Sequence, residues 1–420
     1  MGSISSGLLT VIAHFSKMIM GFILLKLIAY YLGAEGLGQL GHFMTLLTIL
    51  SVIAGGGIVN GVIKYTAEYK NRPIKLFRFA SSAACYTLYF SIFIFFVCTI
   101  FSRLLADFIF GKQDFYIYII TLAIAQFGFA FSNLIIGISN GLERNEVYAK
   151  IQITGSFLAV PFCWFFIYFF EWPGAILGLI FSLFAIAIPS LCVARKSRII
   201  KLLRFTIYNS EYFPLLSRFT LMLVVSVITF PLVEIFIRQK LITGNGYHEA
   251  GIWQAGIRLS SAYTGVFSIF LAFWFMPKIS AEKDWHNIIN KTFKMLFYVM
   301  LIFLCGSLLL YFERGFFIPI LLSSDFNELE NIIHFQLIGD FFKVGAYTIG
   351  FVGVAKAATK IYVAAEIVQN SIFILFFIFI SWNAFSAKNT MISYALTYAV
   401  YFFISFIVLM MTYKFNSKSD

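Results

Sequence analysis

Charged residues stand inside or beside long apolar runs in one stretch of the chain, residues 336–367. Its sequence, QLIGDFFKVGAYTIGFVGVAKAATKIYVAAEI, holds Asp340, Lys343, Lys356, Lys360 and Glu366. A charge near the centre of a membrane helix costs roughly 2.5–3.5 kcal/mol on insertion scales, so such residues are candidates for a functional site. Asp340 and Lys343 are three residues apart, which puts them on one face of a helix. They either neutralise each other or together face a water-filled cavity.

Further charged residues interrupt other apolar runs. Lys17 and Lys26 lie in the first run, separated by about 13.5 Å of helical rise and half a circumference, so they do not share a face. Lys17 is the costlier of the two to leave in lipid and the better candidate for lining a cavity. We expect Arg258 to line a cavity rather than to reach the membrane surface. Glu234 and Glu366 are each either a structural ion-pair partner or a protonatable coupling site.

The charges inside the apolar runs are mostly positive, which implies an anionic passenger. Arginine binds phosphate through bidentate hydrogen bonds, and lysine binds it as a point charge. We therefore expect the basic residues to bind the passenger and the acidic residues to serve as ion-pair or coupling partners. The basic set is Lys17, Lys26, Arg258 and Lys343, and the acidic set is Asp340, Glu234 and Glu366.

The elements that position these charges are membrane helices. The chain has 420 residues, of which 60% are hydrophobic and 12% are charged. Its apolar blocks of about twenty or more residues are apolar around the whole helix, unlike the amphipathic helices of a soluble protein, and are too long for the strands of a membrane β-barrel. The sequence predicts an all-α polytopic membrane protein. Twelve transmembrane helices are expected, at residues 8–31, 38–63, 77–102, 114–140, 147–170, 173–194, 214–241, 249–277, 288–311, 331–355, 358–382 and 388–412.

Basic residues are distributed unevenly between the two sides that these spans define. One side carries segments 64–78, 144–150, 195–204, 278–294, 356–360 and 414–418. The other side carries only Arg103, Lys112, Arg238, Lys240, Arg314 and Lys388. By the positive-inside rule the richer side is cytoplasmic, so both termini are expected in the cytoplasm. The net charge of +12 reflects this topology and contact with anionic membrane lipids, and no nucleic-acid partner is expected.

The chain divides into two halves at the basic segment 195–204. Six spans lie on each side, which predicts an N-terminal lobe over residues 1–205 and a C-terminal lobe over residues 206–420. Because six is even, both halves start on the same side of the membrane and are expected to be parallel repeats. A weak sequence similarity between EGLGQ at residues 35–39 and EAGIWQ at residues 249–254, which we call the echo segments, supports this. The expected architecture is two six-helix lobes around a central cavity.

Signals of enzyme chemistry are weak. The cysteines lack CxxC spacing, and the histidines lack HxxxH and HExxH spacing. The glycine-rich segment at residues 33–41 has neither the preceding strand nor the GK[ST] of a phosphate loop. No metal site and no cofactor are expected. A membrane polymerase or ligase for glycans is an alternative class, but it would need an extended periplasmic loop, which this chain lacks.

Several motifs resemble those of a known family. They are GAEGLGQLGHF at 33–43, AGGGIVNGVIKY at 54–65, RFTLM at 218–222, EAGIWQ at 249–254, QLIGDFFKVGAYTIGFVGVAKA at 336–357 and YVAAEI at 362–367. They resemble the bacterial lipid-linked oligosaccharide flippases, which move O-antigen and enterobacterial common antigen units and belong to the multidrug/oligosaccharidyl-lipid/polysaccharide exporter superfamily. The resemblance runs from the first span to about Glu366 and is closest to the enterobacterial common antigen members.

The resemblance implies a transporter rather than an enzyme. Such a flippase works by alternating access in the bacterial inner membrane and carries an undecaprenyl-diphosphate-linked sugar unit from the cytoplasmic to the periplasmic leaflet. It also implies an O-antigen polymerase and a chain-length regulator as partners. Arg258 departs from the family pattern. The resemblance also implies that Lys64 belongs to the residues that bind the diphosphate. The positions of this chain that match charged positions of the family are Lys17, Lys26, Lys64, Asp340, Lys343, Lys356 and Glu366.

Three passengers fit this resemblance. The heavy use of Phe, Ile, Tyr and Lys indicates an AT-rich gene, and O-antigen gene clusters are often AT-rich, so an O-antigen repeat unit is the main prediction. The enterobacterial common antigen unit is the alternative. A drug or cation antiporter of the same superfamily is less favoured, because such a transporter is expected to have an acidic cavity.

Overall fold

The structure, a computed structural model of the protein, describes residues 3–197, 199–205, 210–356 and 359–416. Arg198 and Lys418 of the basic segments, residue 358 of a predicted span and the side chain of Lys360 lie outside this description. The described residues form α-helices and short turns without any β-strand, so the predicted all-α class is confirmed. The helices are α1 Ser3–Ile53, α2 Val59–Tyr69, α3 Pro73–Ile100, α4 Ser102–Phe110, α5 Tyr116–Gly141, α6 Asn145–Phe184, α7 Ala187–Lys196, α8 Phe213–Phe270, α9 Met276–Ala281, α10 Trp285–Phe312, α11 Arg314–Leu321, α12 Asn327–Ala355, α13 Thr359–Ile380 and α14 Ala387–Asn416.

The helices have the length and surface of membrane spans. Within the described residues, eight segments are long and apolar enough to cross a membrane. Three helices each join two shorter helices at a kink, at Gly33 in α1, Glu171 in α6 and Gly246 in α8. With these kinks counted as breaks, the helices are consistent with the twelve predicted spans. Large apolar side chains such as Phe312 and Phe379 are 74% and 80% exposed, which a lipid environment permits and water disfavours.

Glycine is required where the two echo segments meet. Gly33 and Gly246 have φ of 64° and 90°, which strain any residue with a Cβ, and each introduces a new helical direction. Just beyond these kinks, a Cβ on Gly38 would overlap the backbone oxygen of Tyr247, and a Cβ on Gly251 would overlap the backbone of α1. The echo segments therefore pack backbone against backbone, which explains the small residues that they share.

The second predicted span, residues 38–63, is not one continuous helix. Three consecutive glycines, residues 55–57, have φ between 62° and 88°, and they separate α1 from α2. The prediction of an unbroken helix is wrong here because left-handed residues cannot continue a right-handed helix. Thr220 Oγ1 donates a 2.6 Å hydrogen bond to the carbonyl oxygen of Gly56, and the Tyr86 hydroxyl lies 2.7 Å from Thr220 Oγ1. A buried polar contact thus stabilises the break.

Packing divides the chain into two compact units. Unit 1 comprises Met1–Leu32 and His42–Pro231, and unit 2 comprises Gly33–Gly41 and Leu232–Asp420. The core of unit 1 is built around residues such as Phe79 and Ile138, and that of unit 2 around residues such as Phe275 and Val344. The boundary falls inside α8 because the first part of this helix packs on the glycine break. The division into lobes at residue 205 and the central cavity between them stay predictions.

Candidate functional site

Asp340 lies at the centre of a buried polar cluster in unit 2. It belongs to α12 and is fully buried. Its carboxylate accepts hydrogen bonds from Ser260 Oγ at 2.6 Å and from the Tyr263 hydroxyl at 2.5 Å, both on α8. It also accepts bonds from the Tyr394 hydroxyl of α14 at 2.7 Å and from Gln336 Nε2 at 3.4 Å. Four donors surround the carboxylate, which is the arrangement that a buried negative charge requires.

Lys343 lies one turn further along α12 in a cage of tyrosines. Its Nζ donates a 3.0 Å hydrogen bond to the Tyr394 hydroxyl. The same Nζ lies 5.1–5.7 Å from the ring centroids of Tyr347, Tyr394 and Tyr398, within range of cation–π attraction. Gln369 Nε2 holds the Tyr398 hydroxyl at 2.9 Å. We call Tyr347, Tyr394 and Tyr398 the tyrosine cage.

The Tyr394 hydroxyl connects the two charges. It accepts a hydrogen bond from Lys343 Nζ and donates a hydrogen bond to the Asp340 carboxylate. Among the described residues the two charges form no direct ion pair, since a hydroxyl group stands between them. The sequence left open whether this pair is neutralised or faces a cavity, and the geometry favours neutralisation through a bridge.

A second charged cluster of unit 2 surrounds Arg238 on α8. The Arg238 side chain is fully buried, and Nη2 donates a 2.6 Å hydrogen bond to Gln254 Oε1 and lies 4.0 Å from Glu234 Oε2. Its guanidinium stacks 5.6 Å from the Trp253 ring centroid, and Gly41 leaves the space that it fills. Arg238 is among the charges predicted on the periplasmic side, and the structure shows that its side chain is buried within unit 2. The acidic residue four positions earlier was the signal for a buried pair.

Arg258 lies 20 residues after Arg238, beyond the kink of α8 at Gly246, and is partly buried. Its Nε atom is inaccessible and has no hydrogen-bond partner in the described part of unit 2. A buried N–H without a partner costs roughly 1–3 kcal/mol, so this atom is a candidate for an anionic or water ligand.

Glu366 borders a cavity in unit 2. The cavity has a volume of about 770 Å³ and is lined by residues of α12, α13 and α14, together with Ser268 and Trp285. We call it the unit 2 cavity. Tyr347 of the tyrosine cage and Lys356 also line it. The side chain of Glu366 is partly buried on α13. The cage around Lys343 thus forms part of the wall of a cavity.

The remaining predicted basic residues belong to unit 1. Lys17 of α1 is exposed, and its neighbour His14 places Nε2 3.2 Å from the Tyr148 hydroxyl. Lys26 is partly buried on the same helix. Lys64 of α2 is exposed, with Nζ 5.2 Å from the Tyr65 ring centroid. Their grouping with Lys343 and Arg258 into one anion site stays a prediction.

No group of three or more histidine, cysteine or acidic side chains that could hold a metal ion occurs among the described residues.

Comparisons with known proteins establish the family. The sequence model of a polysaccharide biosynthesis protein family matches residues 4–281 of this chain. The chain belongs to this family. It is also 31% identical over 385 residues to the Lipid III flippase of Escherichia coli K12, covering 91% of this chain and 92% of the relative. The Lipid III flippase of Shigella flexneri matches with the same identity and coverage. The resemblance to lipid-linked oligosaccharide flippases is therefore confirmed.

Solved structures confirm the fold of this polysaccharide biosynthesis family member. An inward-facing multidrug resistance MATE family transporter of the MOP superfamily is similar with a TM-score of 0.78, 15% identity and 99% coverage of both chains. A MOP superfamily transporter from Pyrococcus furiosus, with a binding pocket of reversed polarity, gives a TM-score of 0.60 at 15% identity, covering 96% of this chain and 95% of its own. At this identity the likeness concerns the fold alone. The relatives are flippases and transporters, and the chain is a membrane transporter, not an enzyme.

Proposed function

We propose that this protein flips a lipid-linked oligosaccharide across the bacterial inner membrane, with both of its termini in the cytoplasm. The observation that carries this proposal is the 31% identity to a Lipid III flippase, which extends over nine-tenths of both chains. The passenger is an undecaprenyl-diphosphate-linked unit, which presents an anionic group, a sugar group and a long apolar chain to the transporter. The basic residues inside the spans match the first of these, and the apolar helix surfaces match the last.

The passenger is inferred to be of the enterobacterial common antigen type. The Lipid III flippase similarity supports this alternative better than the O-antigen unit, which was the main prediction from sequence. The drug or cation antiporter alternative has support from fold only, because the multidrug transporter is 15% identical to this chain. A polymerase and a chain-length regulator as partners stay predictions.

We assign the diphosphate to the basic residues Lys17, Lys26, Lys64, Arg258 and Lys343. Exposure of Lys17 and Lys64 and the orphaned Nε of Arg258 support this assignment. Lys343 would exchange part of its contact with Tyr394 for the phosphate. Transfer of each negative charge outward runs with an inside-negative potential, at about 2.3 kcal/mol per 100 mV.

We assign different roles to the three acidic residues. Asp340 serves as the ion-pair partner of Lys343, since four donors already satisfy its carboxylate. Glu234 serves as a partner of Arg238, 4.0 Å away. Glu366 is the candidate for ion coupling because it borders the unit 2 cavity. Transport that is insensitive to pH and to sodium would remove the coupling role.

Flipping in proteoliposomes tests the assignment of the diphosphate. A fluorescent undecaprenyl-diphosphate oligosaccharide would be scored by its accessibility to an impermeant quencher under an imposed potential. Loss of a charge-assisted contact worth about 1.5–3 kcal/mol is expected to slow flipping roughly 10- to 100-fold in Lys17→Ala and Lys343→Ala. Lys112→Ala, an exposed lysine outside the spans, is the matched control and is expected to flip at the rate of wild type. Unchanged flipping in both folded variants would refute the assignment.

A further inference from the structure

The unit 2 cavity is apolar along most of its length. Its volume of about 770 Å³ is in the range of sites for small molecules. Ile349, Val352 and Leu409 form part of its wall. Gly350 and Gly353 also line it, and a Cβ on either would meet no atom within 4 Å. Because these glycines are three residues apart, they widen the cavity on one face of α12.

The mouth of this cavity is apolar. Four lining residues are large apolar side chains that are also exposed, namely Val354 at 38%, Ile361 at 51%, Val368 at 41% and Val408 at 39%. Exposed apolar side chains grouped at a cavity are suited to contact with hydrocarbon, because such a patch is unfavourable in water. The occupant therefore enters from the bilayer and is itself apolar over most of its length.

The two ends of the cavity differ in polarity. Lys356 and Trp285 line one end, and these residue types mark the level of the lipid headgroups. Tyr347 lines the other end, about 14 Å further along α12 at 1.5 Å per residue. This depth is close to half of the roughly 30 Å hydrocarbon layer. Lys356 Nζ donates one of its three N–H bonds to the backbone oxygen of Glu282, which leaves donors for a phosphate.

We propose that the unit 2 cavity docks the first isoprenoid units of the lipid-linked substrate as it enters, with its phosphates beside Lys356 before they reach the basic residues assigned above. The proposal rests on the proposed flippase function. The open positions at Gly350 and Gly353 accommodate the methyl branches of an isoprenoid chain, which a straight acyl chain lacks. The rest of the chain leaves through the apolar mouth near Val368 and remains in lipid. A single cavity also fits a single chain better than the two chains of a phospholipid.

Photocrosslinking on the full-length protein in nanodiscs tests this proposal. The probe is undecaprenyl diphosphate with a diazirine on its first isoprenoid units and no sugar. The variant Gly350→Leu/Gly353→Leu places two side chains in the cavity at positions where a Cβ meets no atom within 4 Å. Gly306→Leu on α10, where a Cβ is equally free and which lies outside the cavity lining, is the control. We expect crosslinks at cavity residues in wild type and in the control. In the filled variant they fall about tenfold, as loss of two buried methylene groups predicts.

Competition and flipping separate the outcomes. An excess of phosphatidylglycerol that displaces the probe as well as unlabelled undecaprenyl diphosphate would overturn the proposal in favour of a general lipid site. Crosslinks that lie elsewhere, or that persist in the filled variant, would overturn it too. Oligosaccharide flipping by the same wild-type sample distinguishes the two levels of inference: flipping without cavity crosslinks removes only the docking site, and absence of flipping removes the proposed function.

Discussion

Replacement of Tyr394 by phenylalanine would remove the one hydroxyl that serves two buried charges. This hydroxyl donates to Asp340 at 2.7 Å and accepts from Lys343 at 3.0 Å. The ring would remain, so packing against Tyr398 and Phe373 would be retained. The change therefore tests the bridge rather than the core.

The magnitude follows from the charges on both partners. A hydrogen bond to a charged group contributes about 1.5–3 kcal/mol, whereas neutral side-chain bonds inside bilayers average roughly 0.6 kcal/mol. Asp340 keeps Ser260, Tyr263 and Gln336 as donors, which offsets part of the loss. We expect Tyr394→Phe to lower the free energy of unfolding by about 3 kcal/mol, twice the value of one such bond at the lower end of its range.

The assay is unfolding of the full-length protein in mixed micelles, followed by tryptophan fluorescence. Tyr298→Phe, a 49% exposed tyrosine on α10, is the matched control and is expected to change the free energy by less than about 0.5 kcal/mol. The same Tyr394→Phe change is also made in an Asp340→Asn/Lys343→Met background, where its cost is expected to fall below about 1 kcal/mol. An equal cost in both backgrounds would refute the bridged ion pair.

Three further predictions concern other parts of the chain. Gly38→Ala is expected to lower the free energy of unfolding by about 1–3 kcal/mol, because the new methyl overlaps the backbone of Tyr247. Gly265→Ala is the control and is expected to leave the free energy of unfolding unchanged, because its methyl meets open space. Equal unfolding midpoints of the two variants would contradict the close approach of the two backbones. Thr220→Val is expected to lower the free energy of unfolding by about 1–3 kcal/mol, because the Gly56 carbonyl and the Tyr86 hydroxyl lose their partner. Thr121→Val is the control in the same assay, because the Thr121 hydroxyl bonds only within its own helix. The Lys291 ammonium donates to the partly buried carboxylate of Glu282 at 2.5 Å and holds the pKa of that carboxyl below its ordinary value. The stabilisation is therefore present at neutral pH and is lost as the pH falls below about 4.3. A stability difference between wild type and Glu282→Gln that grows in acid would contradict this sign.

The sequence predicts the helices of this fold well because apolar runs of membrane length have few alternatives. It also locates Asp340 and Lys343, since charges in such runs are conspicuous. Tyr394 and Tyr398 are four residues apart in α14, a spacing that predicts one helical face. It does not predict that this face meets Lys343, because the contact joins segments that are 51 residues apart.

Other features of unit 2 depend on packing that a single sequence does not encode visibly. Arg238 lies close to a span end, so position alone favoured a solvated side chain, and its burial depends on the space left by Gly41. The unit 2 cavity is formed by what glycines leave open between three helices, and a glycine in an apolar run more often indicates close packing. Gly61 is an example of that commoner role, because a Cβ there would press on Phe219.

The central claim is that the protein moves an intact lipid-linked oligosaccharide between leaflets. Its most direct test is a side-by-side flipping measurement with purified protein in proteoliposomes, using Lipid III and an undecaprenyl-diphosphate-linked O-antigen unit at equal amounts. We predict that protein-dependent flipping occurs and is faster for Lipid III than for the O-antigen unit. Faster flipping of the O-antigen unit would contradict the passenger that we infer, and no protein-dependent flipping of either lipid would contradict the central claim.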